Sequence, residues 1–436
     1  MSAKAARLTD DHLCSLHLGK QILPACATTI LIGGKPAARV GDQLKCEGGP
    51  KDTVRMGEPT VLLQGKDAAR YTDATEHFGF ISTGEPTVLI GKITSEAKRL
   101  RMMARLALIA QAREKAANMP PGKERDALLG LANDLARNNL AVEHARLTDA
   151  VYPVLDANGN VISNYGPDPE GWTRISPAEY PYLSPSGMAS AVYRSDIDGR
   201  VVLVFRGSEP GWQDWVGANA MQGVGLPSVQ HAEAVALARG LAAQYGDDMS
   251  IAGHSLGGGL ASSAALATGL PADTFNAAGV HWKSYLYYGL NPLNAGNINA
   301  YNVDGEVLTS AQEGSLGLAP LAVGNNIDLH AAEQQGSGYV PRPDPPAPFR
   351  APSSQGVLDR LGNIFRPPSW GELAQAGGNP FQMLFNRGLA EAGDVIGDRA
   401  KPVLDEAILR HGLQTPSLEY AKTQQMAAMT AALSKP

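Results

Sequence analysis

The chain has 436 residues, of which 44% are hydrophobic and 18% are charged. This composition is typical of a globular protein, and the length exceeds one ordinary hydrophobic core, so two or three folding units are expected. The formal charge of −6 gives no reason to expect a nucleic-acid partner, whose binding surfaces are usually basic. The sequence shows no secretory signal peptide at its beginning and no apolar run long enough to cross a membrane, so we expect export by another route.

Short phrases recur three times near the N-terminus. Ala-Ala-Arg followed by two residues and Asp occupies residues 5–10, 37–42 and 68–73. A β-branched run that ends in Gly and Lys occupies residues 28–35, 59–66 and 86–92. Each copy predicts a short strand and a tight turn that cannot bury its apolar face alone. We therefore expect residues 1–93 to form one small β-rich module.

The same module contains all three cysteines, and an odd number of cysteines argues against a disulfide scaffold. Imidazole and thiolate groups together suit tetrahedral zinc, and a closed set of four ligands would make the site structural. The candidates from the module are His12, Cys14, His17, Cys46 and His77.

The phrase Gly-Lys-Pro-Ala-Ala-Arg-Val-Gly-Asp at residues 34–42 closely resembles the PAAR family, the zinc-tipped cone that caps the spike of type VI secretion machines. The resemblance implies a trimeric spike protein as partner and a zinc site formed by His12, His17, Cys46 and His77. The segment between the first two histidines is shorter than in many members, which leaves Cys14 as an alternative ligand.

Strong helix formers follow the module, and Pro120-Pro121-Gly122 interrupts them. We interpret residues 94–147 as a helical linker. Strands and helices then alternate between residues 187 and 330, which predicts a mostly parallel sheet covered by helices. The domain that contains this sheet is expected to span residues 148–436, and a Pro-rich stretch at about 336–368 is expected to be a loop or lid.

The sequence Gly253-His254-Ser255-Leu256-Gly257 follows a short strand and opens a helix. This G-x-S-x-G pattern in this setting predicts a nucleophile elbow, with Ser255 as the nucleophile and no catalytic cofactor. The backbone N–H of Leu256 at the helix start is a candidate oxyanion donor. We do not assign His254 as the base, because its side chain should lie on the other face.

The pairing of Val-Phe-Arg-Gly-Ser at residues 204–208 with the elbow resembles the class 3 lipase family. The resemblance implies an α/β-hydrolase that cleaves lipid esters, with Ser208 as the second oxyanion donor.

Hydrolases of this kind carry the acid and then the histidine after the serine. Asp304 at the end of a predicted strand is the first candidate acid, and Glu306 and Asp328 are reserves. Two histidines lie downstream. His411, in a late His-Gly turn that resembles the family's pattern, is the first candidate base, and His330 is the alternative.

Together the two resemblances imply a type VI secretion effector, made in the cytoplasm and exported into a competing cell, there to attack membrane phospholipid in the periplasm. Such an effector implies a cognate immunity protein. A spike component with an inactive hydrolase domain, or an esterase that acts on a non-lipid substrate, remains an alternative, because a fold does not fix a substrate.

Overall fold

The computed structural model describes residues 2–92, 95–158, 160–175, 184, 186–207, 229–306, 308–309, 312, 320–335, 338–341, 406 and 409–434. Within these residues the chain forms a β-rich N-terminal module, a group of long helices and a seven-stranded sheet. The expected multidomain fold class is confirmed.

The N-terminal module consists of eleven short strands. Three antiparallel strand pairs correspond to the three repeats: β4 with β5 and β8 with β9 form hairpins, whereas β11 pairs with β1 from the other end of the module. The strands are β1 Ala3–Ala5, β2 His12–Leu13, β3 Leu18–Ile22, β4 Ala27–Ile32, β5 Lys35–Ala37, β6 Gln43–Glu47, β7 Asp52–Thr53, β8 Glu58–Leu63, β9 Lys66–Ala68, β10 Phe80–Ile81 and β11 Glu85–Ile90.

The repeated Ala-Ala-Arg phrases each end in a turn that an ion pair closes. In every copy the arginine contacts the aspartate three residues later, at 3.0–3.2 Å. Both side chains of each pair are largely buried, so the charges stabilise one another where water is scarce. The three pairs are Arg7–Asp10, Arg39–Asp42 and Arg70–Asp73.

Two long helices follow the module, α1 Glu96–Ala117 and α2 Lys123–Ala150. They share one hydrophobic core with the module and with the last helix of the chain, so that Phe80 of the module, Ile109 of α1, Leu135 of α2 and Met429 belong to a single cluster. None of the described helices is long and apolar enough to cross a membrane.

The part of the chain after α2 is built on a seven-stranded sheet with the strands in chain order. The first two neighbouring pairs are antiparallel and the remaining four are parallel. A hairpin of β12 Val154–Leu155 and β13 Val161–Ser163 precedes the sheet. The sheet strands are β14 Trp172–Arg174, β15 Ser190–Ser195, β16 Val201–Phe205, β17 Met249–His254, β18 Ala272–Phe275, β19 Ile298–Val303 and β20 Asn325–Leu329.

Helices cover both faces of this sheet, which explains why all five residues of β16 are buried. The helices that connect the parallel strands are α3 Val229–Tyr245, α4 Leu256–Thr268 and α5 Trp282–Tyr288, and a 3-10 turn, Pro292–Asn297, leads into β19. The final helix is α6 Gln414–Leu433.

The second half of α2 belongs structurally with the sheet. Ala141 and Ala145 lie in one buried cluster with Phe275 of β18 and Tyr301 of β19. Part of the segment interpreted as a linker therefore covers the hydrolase sheet. The boundaries at residues 93 and 147 stay a proposal.

The start of the Pro-rich stretch has regular structure. Strand β21 Ala332–Gln335 pairs antiparallel with β22 Gly338–Pro341, so the expected loop begins as a hairpin. The chain can pair here because its prolines are concentrated after residue 340. Residues 342–368 lie outside the described part of the chain.

Candidate active site and metal centre

Ser255 lies at the sharp turn between β17 and α4. Its backbone has φ of 58° and ψ of −125°, a left-handed conformation that few residues with a side chain adopt. The flanking glycines make the turn possible: a Cβ at Gly253 would lie 2.1 Å from the carbonyl oxygen of Gly257, and one at Gly257 would lie 2.2 Å from that of Phe205. The strand, turn and helix expected for a nucleophile elbow are thus all present.

His411 forms a buried pair with Glu306. Nδ1 of the imidazole lies 2.5 Å from Oε2 of the carboxylate, and the two side chains are 6% and 0% exposed. Burial alone would raise the pKa of Glu306, but the charge and hydrogen bond of His411 outweigh it and lower that pKa. The carboxylate is therefore ionised and holds the Nδ1 proton of His411, leaving Nε2 as the acceptor.

Asp304, the first candidate acid, does not take this position. Its carboxylate lies 2.8 Å from Nδ1 of His330, and these side chains are 40% and 85% exposed. The difference arises in the turn after β19, where Gly305 has φ of 70° and the chain reverses between the two acidic residues. Asp304 consequently lies outside with His330, whereas Glu306 lies inside with His411. Asp328, the other reserve, is exposed on β20.

The carbonyl oxygen of His411 is held by two side chains next to the nucleophile. Nε2 of His254 donates to it at 2.9 Å, and Nδ2 of Asn276 donates at 2.7 Å. The rings of His254 and His411 are 4.7 Å apart, so the candidate base lies beside the elbow. Burial lowers the pKa of His254 to about 3, and the hydroxyl of Tyr152 lies 2.9 Å from its Nδ1.

This arrangement fixes the tautomer of His254. Because its Nε2 donates to a carbonyl oxygen and the ring is neutral, Nδ1 accepts the hydrogen bond from Tyr152. His254 is thus occupied on both nitrogens. The expectation that it is not the base agrees with this geometry, but its contact with His411 could not be predicted from the sequence.

Leu256 is the first residue of α4, so its N–H has no acceptor within the helix and lies beside the nucleophile. The strand β16 brings the second candidate region close: a Cβ at Gly207 would lie 3.0 Å from the Cβ of Ser255. Ser208, the expected second oxyanion donor, comes directly after this glycine but lies outside the described residues.

A second Ser-His-Asp arrangement lies at the amino ends of the parallel strands, opposite the end that carries Ser255. His144 of α2 contacts Asp273 at 2.7 Å and Ser250 at 3.3 Å, and all three line a cavity of about 440 Å³ between the module, the helices and the sheet. Ser250 lies within the ladder of β17, opposite Val202. No helix begins at Ser250 to supply oxyanion donors, so we interpret this group as an anchor of α2 on the sheet.

In the module, five candidate metal ligands converge on one place. Ligand atoms of Cys14, His17, Cys46 and His77 all lie within 4.8 Å of one another, and a second, overlapping group contains His12, Cys14, Cys46 and Asp52. Three sulfur–nitrogen distances in the first group are 3.8 Å. A tetrahedral zinc with ordinary Zn–S and Zn–N bonds would place such atoms about 3.6 Å apart. The first group therefore fits a tetrahedral metal.

His12 belongs to the second group, and its Nε2 lies 3.6 Å from Sγ of Cys46. Its Nδ1 lies 2.6 Å from the carbonyl oxygen of Lys20, and its Nε2 lies 3.5 Å from the buried carboxylate of Asp52. Cys14, the alternative ligand, belongs to both groups, as does Cys46. A hydrogen bond from Cys46 lowers the pKa of Cys14, which favours the thiolate that binds metal.

Comparisons with known proteins agree with these two parts. Residues 1–49 and 15–79 match the PAAR motif, and residues 143–343 match a Tle-like phospholipase domain. An extracellular phospholipase A1 of Serratia liquefaciens is 45% identical over 150 residues, which are 33% of this chain and 46% of that protein. The chain thus spans about half the length of this curated relative.

Solved lipase structures show weaker likeness. A Rhizomucor miehei lipase propeptide complex is 13% identical, with a TM-score of 0.30, over 44% of this chain and 68% of that chain. A triacylglycerol lipase from Penicillium expansum is 19% identical, with a TM-score of 0.29, over 45% of this chain and 81% of that chain. The matches thus fit a PAAR motif at residues 1–79 joined to a Tle-like phospholipase domain at residues 143–343.

Proposed function

We propose that the chain is a type VI secretion effector in which the PAAR module delivers a serine hydrolase that cleaves membrane lipid esters. The observation that carries the proposal is the strained elbow at Ser255 with the buried His411–Glu306 pair beside it. An inactive cargo domain would have no need to keep a nucleophile in a left-handed conformation or an ionised carboxylate with no exposure.

In the proposed reaction, the hydroxyl of Ser255 attacks the acyl carbonyl carbon while Nε2 of His411 takes its proton. Glu306 orients the imidazole and stabilises the imidazolium. The amide of Leu256, and Ser208 if it lies as the family resemblance implies, stabilise the oxyanion. His411 then protonates the leaving alcohol. A water molecule, activated by the same histidine, releases the acid from the acyl-enzyme.

Phospholipid is the proposed substrate, because the matched domain is phospholipase-like and the curated relative is a phospholipase A1. The test is fatty-acid release from vesicles of defined phospholipids by the purified chain and by its Ser255→Ala variant. We expect release by the parent and loss of at least a thousandfold in the variant. Turnover of a small acetyl ester without release from any phospholipid would instead favour the non-lipid esterase.

The module presents a threefold surface for its proposed spike partner. Leu31, Leu62 and Leu89 occupy equivalent positions in β4, β8 and β11 and are 61%, 60% and 59% exposed. Three equivalent apolar side chains suit a partner that is itself trimeric. Replacing all three by glutamate should abolish co-purification with the spike protein and export, while leaving hydrolysis unchanged.

For the metal we propose one structural zinc held by Cys14, His17, Cys46 and His77, with His12 in a supporting position. In this proposed set, Cys14 takes the place that the expected set gave to His12. The donors are two thiolates and two imidazoles, a combination typical of closed zinc sites. Action in the periplasm of a competing bacterium and neutralisation by a cognate immunity protein complete the proposal.

A further inference from the structure

Helix α5 has an exposed apolar face on the hydrolase domain. Trp282, Leu286 and Tyr287 are 64%, 78% and 58% exposed, within a helix of seven residues. Trp282 and Leu286 are neighbours on the helix surface, as are Lys283 and Tyr287, so the four side chains are contiguous. Single exposed apolar residues are common on proteins, but a group of this kind marks a contact surface.

The opposite face of the helix is fixed to the domain. Tyr285 and Tyr288 pack against the main hydrophobic cluster, and the ring of Tyr288 stacks on His231 of α3 at 6.2 Å. Arg239 donates to the carbonyl oxygen of Tyr288 at 3.2 Å. The exposed side chains are therefore presented on a firmly packed helix.

The face lies close to the nucleophile. The amide of Ala278 donates to the carbonyl oxygen of Ser255 at 3.0 Å, and α5 begins four residues later at Trp282. Leu321, which is 56% exposed, follows Pro320, whose carbonyl oxygen lies against Gly279. The apolar surface thus adjoins the edge of the sheet that carries the candidate active site.

The charge of this region differs from that of the whole chain. Residues 274–303 contain no aspartate or glutamate and include Lys283, whereas the chain has a net charge of −6. A segment without acidic groups adds no repulsion from anionic headgroups, and Lys283 adds attraction. Tryptophan and tyrosine are the side chains that favour the boundary between headgroups and acyl chains.

We propose that Trp282, Lys283, Leu286 and Tyr287 form a docking face that places the hydrolase on the surface of an anionic phospholipid bilayer. The proposal rests on the proposed function, because it supplies the substrate surface for the same site. It is a surface contact only. Binding by a face of this size should depend on both its apolar side chains and the headgroup charge.

The experiment separates docking from catalysis by using the Ser255→Ala chain. Its co-sedimentation with vesicles of phosphatidylcholine and phosphatidylglycerol, 3:1, is compared with that of the same chain carrying Trp282→Ser, Leu286→Ser and Tyr287→Ser. We expect the triple variant to bind at least tenfold more weakly. The control is Leu293→Ser, because Leu293 is 87% exposed. Its turn packs on the last residues of α4, and Ser255 lies at the other end of that helix, about 20 Å away.

With Ser255 restored, the triple variant should hydrolyse a soluble short-chain ester within twofold of the parent and lose at least tenfold on the vesicles. Equal vesicle binding by the parent and the triple variant would overturn the docking face, as would an equal loss in the Leu293→Ser control. If the parent hydrolysed no ester, the proposed function would be overturned. The vesicle-binding comparison would still test the docking face, because it does not depend on hydrolysis.

Discussion

Replacing Glu306 by glutamine should nearly abolish hydrolysis, whereas replacing Asp304 by asparagine should not. The carboxylate of Glu306 has no exposure and lies 2.5 Å from Nδ1 of His411. A glutamine that turned its amide nitrogen toward this ring would place its N–H donor against the N–H donor at Nδ1 of His411. The imidazole would then keep its proton on Nε2 and could not accept one from Ser255. Loss of the corresponding carboxylate in another serine hydrolase costs about 10⁴ in kcat, or about 5.5 kcal/mol.

The matched variant is Asp304→Asn. Its partner His330 is 85% exposed, and a pair so exposed to water contributes about 1 kcal/mol or less to stability. We expect kcat within twofold of the parent. Turnover of a short-chain ester is the assay, with circular dichroism and thermal unfolding as checks on the fold. Glu306→Asp keeps the charge but shortens the side chain, so its activity should fall between the two. A Glu306→Gln chain that stays folded and keeps a tenth of the activity would refute the assignment, as would an inactive Asp304→Asn chain.

Three further predictions concern the neighbours of the proposed base and the proposed metal site. His254→Leu removes a donor to the carbonyl of His411 and should lower kcat roughly 10–100-fold at constant KM, whereas His254→Gln keeps an N–H near the Nε2 position and should recover most of the loss in the same steady-state assay. Cys14→Ser or His17→Ala should reduce bound zinc, measured by mass spectrometry of the purified chain, well below one per chain, and His12→Ala should retain most of it. Finally, the pKa of His254 is about 3 in the folded chain and 6.5 as a free side chain, so the unfolded state binds the extra proton between these values. The free energy of unfolding therefore gains a contribution that is complete above pH 6.5 and is lost as the pH falls toward 3. Urea unfolding at pH 4.5 and 7 should show a pH dependence smaller in His254→Leu by up to about 1.4 kcal/mol per pH unit, and an unchanged dependence would contradict a neutral buried ring.

The nucleophile elbow could be predicted because all of its determinants are local. The strand, the two glycines, the serine and the helix lie within about twenty consecutive residues, and no distant contact is needed to recognise them. The parallel strands could be predicted equally well, because strands buried on both faces are continuous apolar runs such as Val201–Phe205.

The choice between Asp304 and Glu306 could not be made in the same way. Both carboxylates follow β19 and both precede a histidine in the chain, so the order of roles fits either one. Their difference is the direction in which the turn at Gly305 sends each side chain. The sequence does contain one hint, because Glu306 is followed by the apolar residues Val307 and Leu308, whereas Asp304 is followed by a glycine.

Cys14 poses a similar problem in the metal centre. The pairing of β2 with β10 sets Leu13 opposite Phe80 and thereby brings the following Cys14 close to His77, 63 residues away. No spacing rule within the sequence predicts this register. Family position favoured His12, whose Nε2 lies 3.6 Å from Sγ of Cys46 and 3.5 Å from the carboxylate of Asp52, and its place among the ligands stays a prediction.

The module is not structurally independent of the helices and the sheet domain that follow it. Arg113 of α1 donates to the carbonyl oxygens of Cys14 and His17, two of the proposed metal ligands. Arg200 of the hydrolase donates to the carbonyl oxygen of Glu76 and stacks on the ring of Phe78, on either side of His77. The loops that would hold the metal are thus the same loops that contact α1 and the sheet domain. Loss of the metal would loosen both sets of contacts, because a loop that is free to move no longer presents its carbonyl groups in fixed positions. The module, the helices and the hydrolase also share one buried cluster. The three parts should therefore unfold together as one cooperative unit.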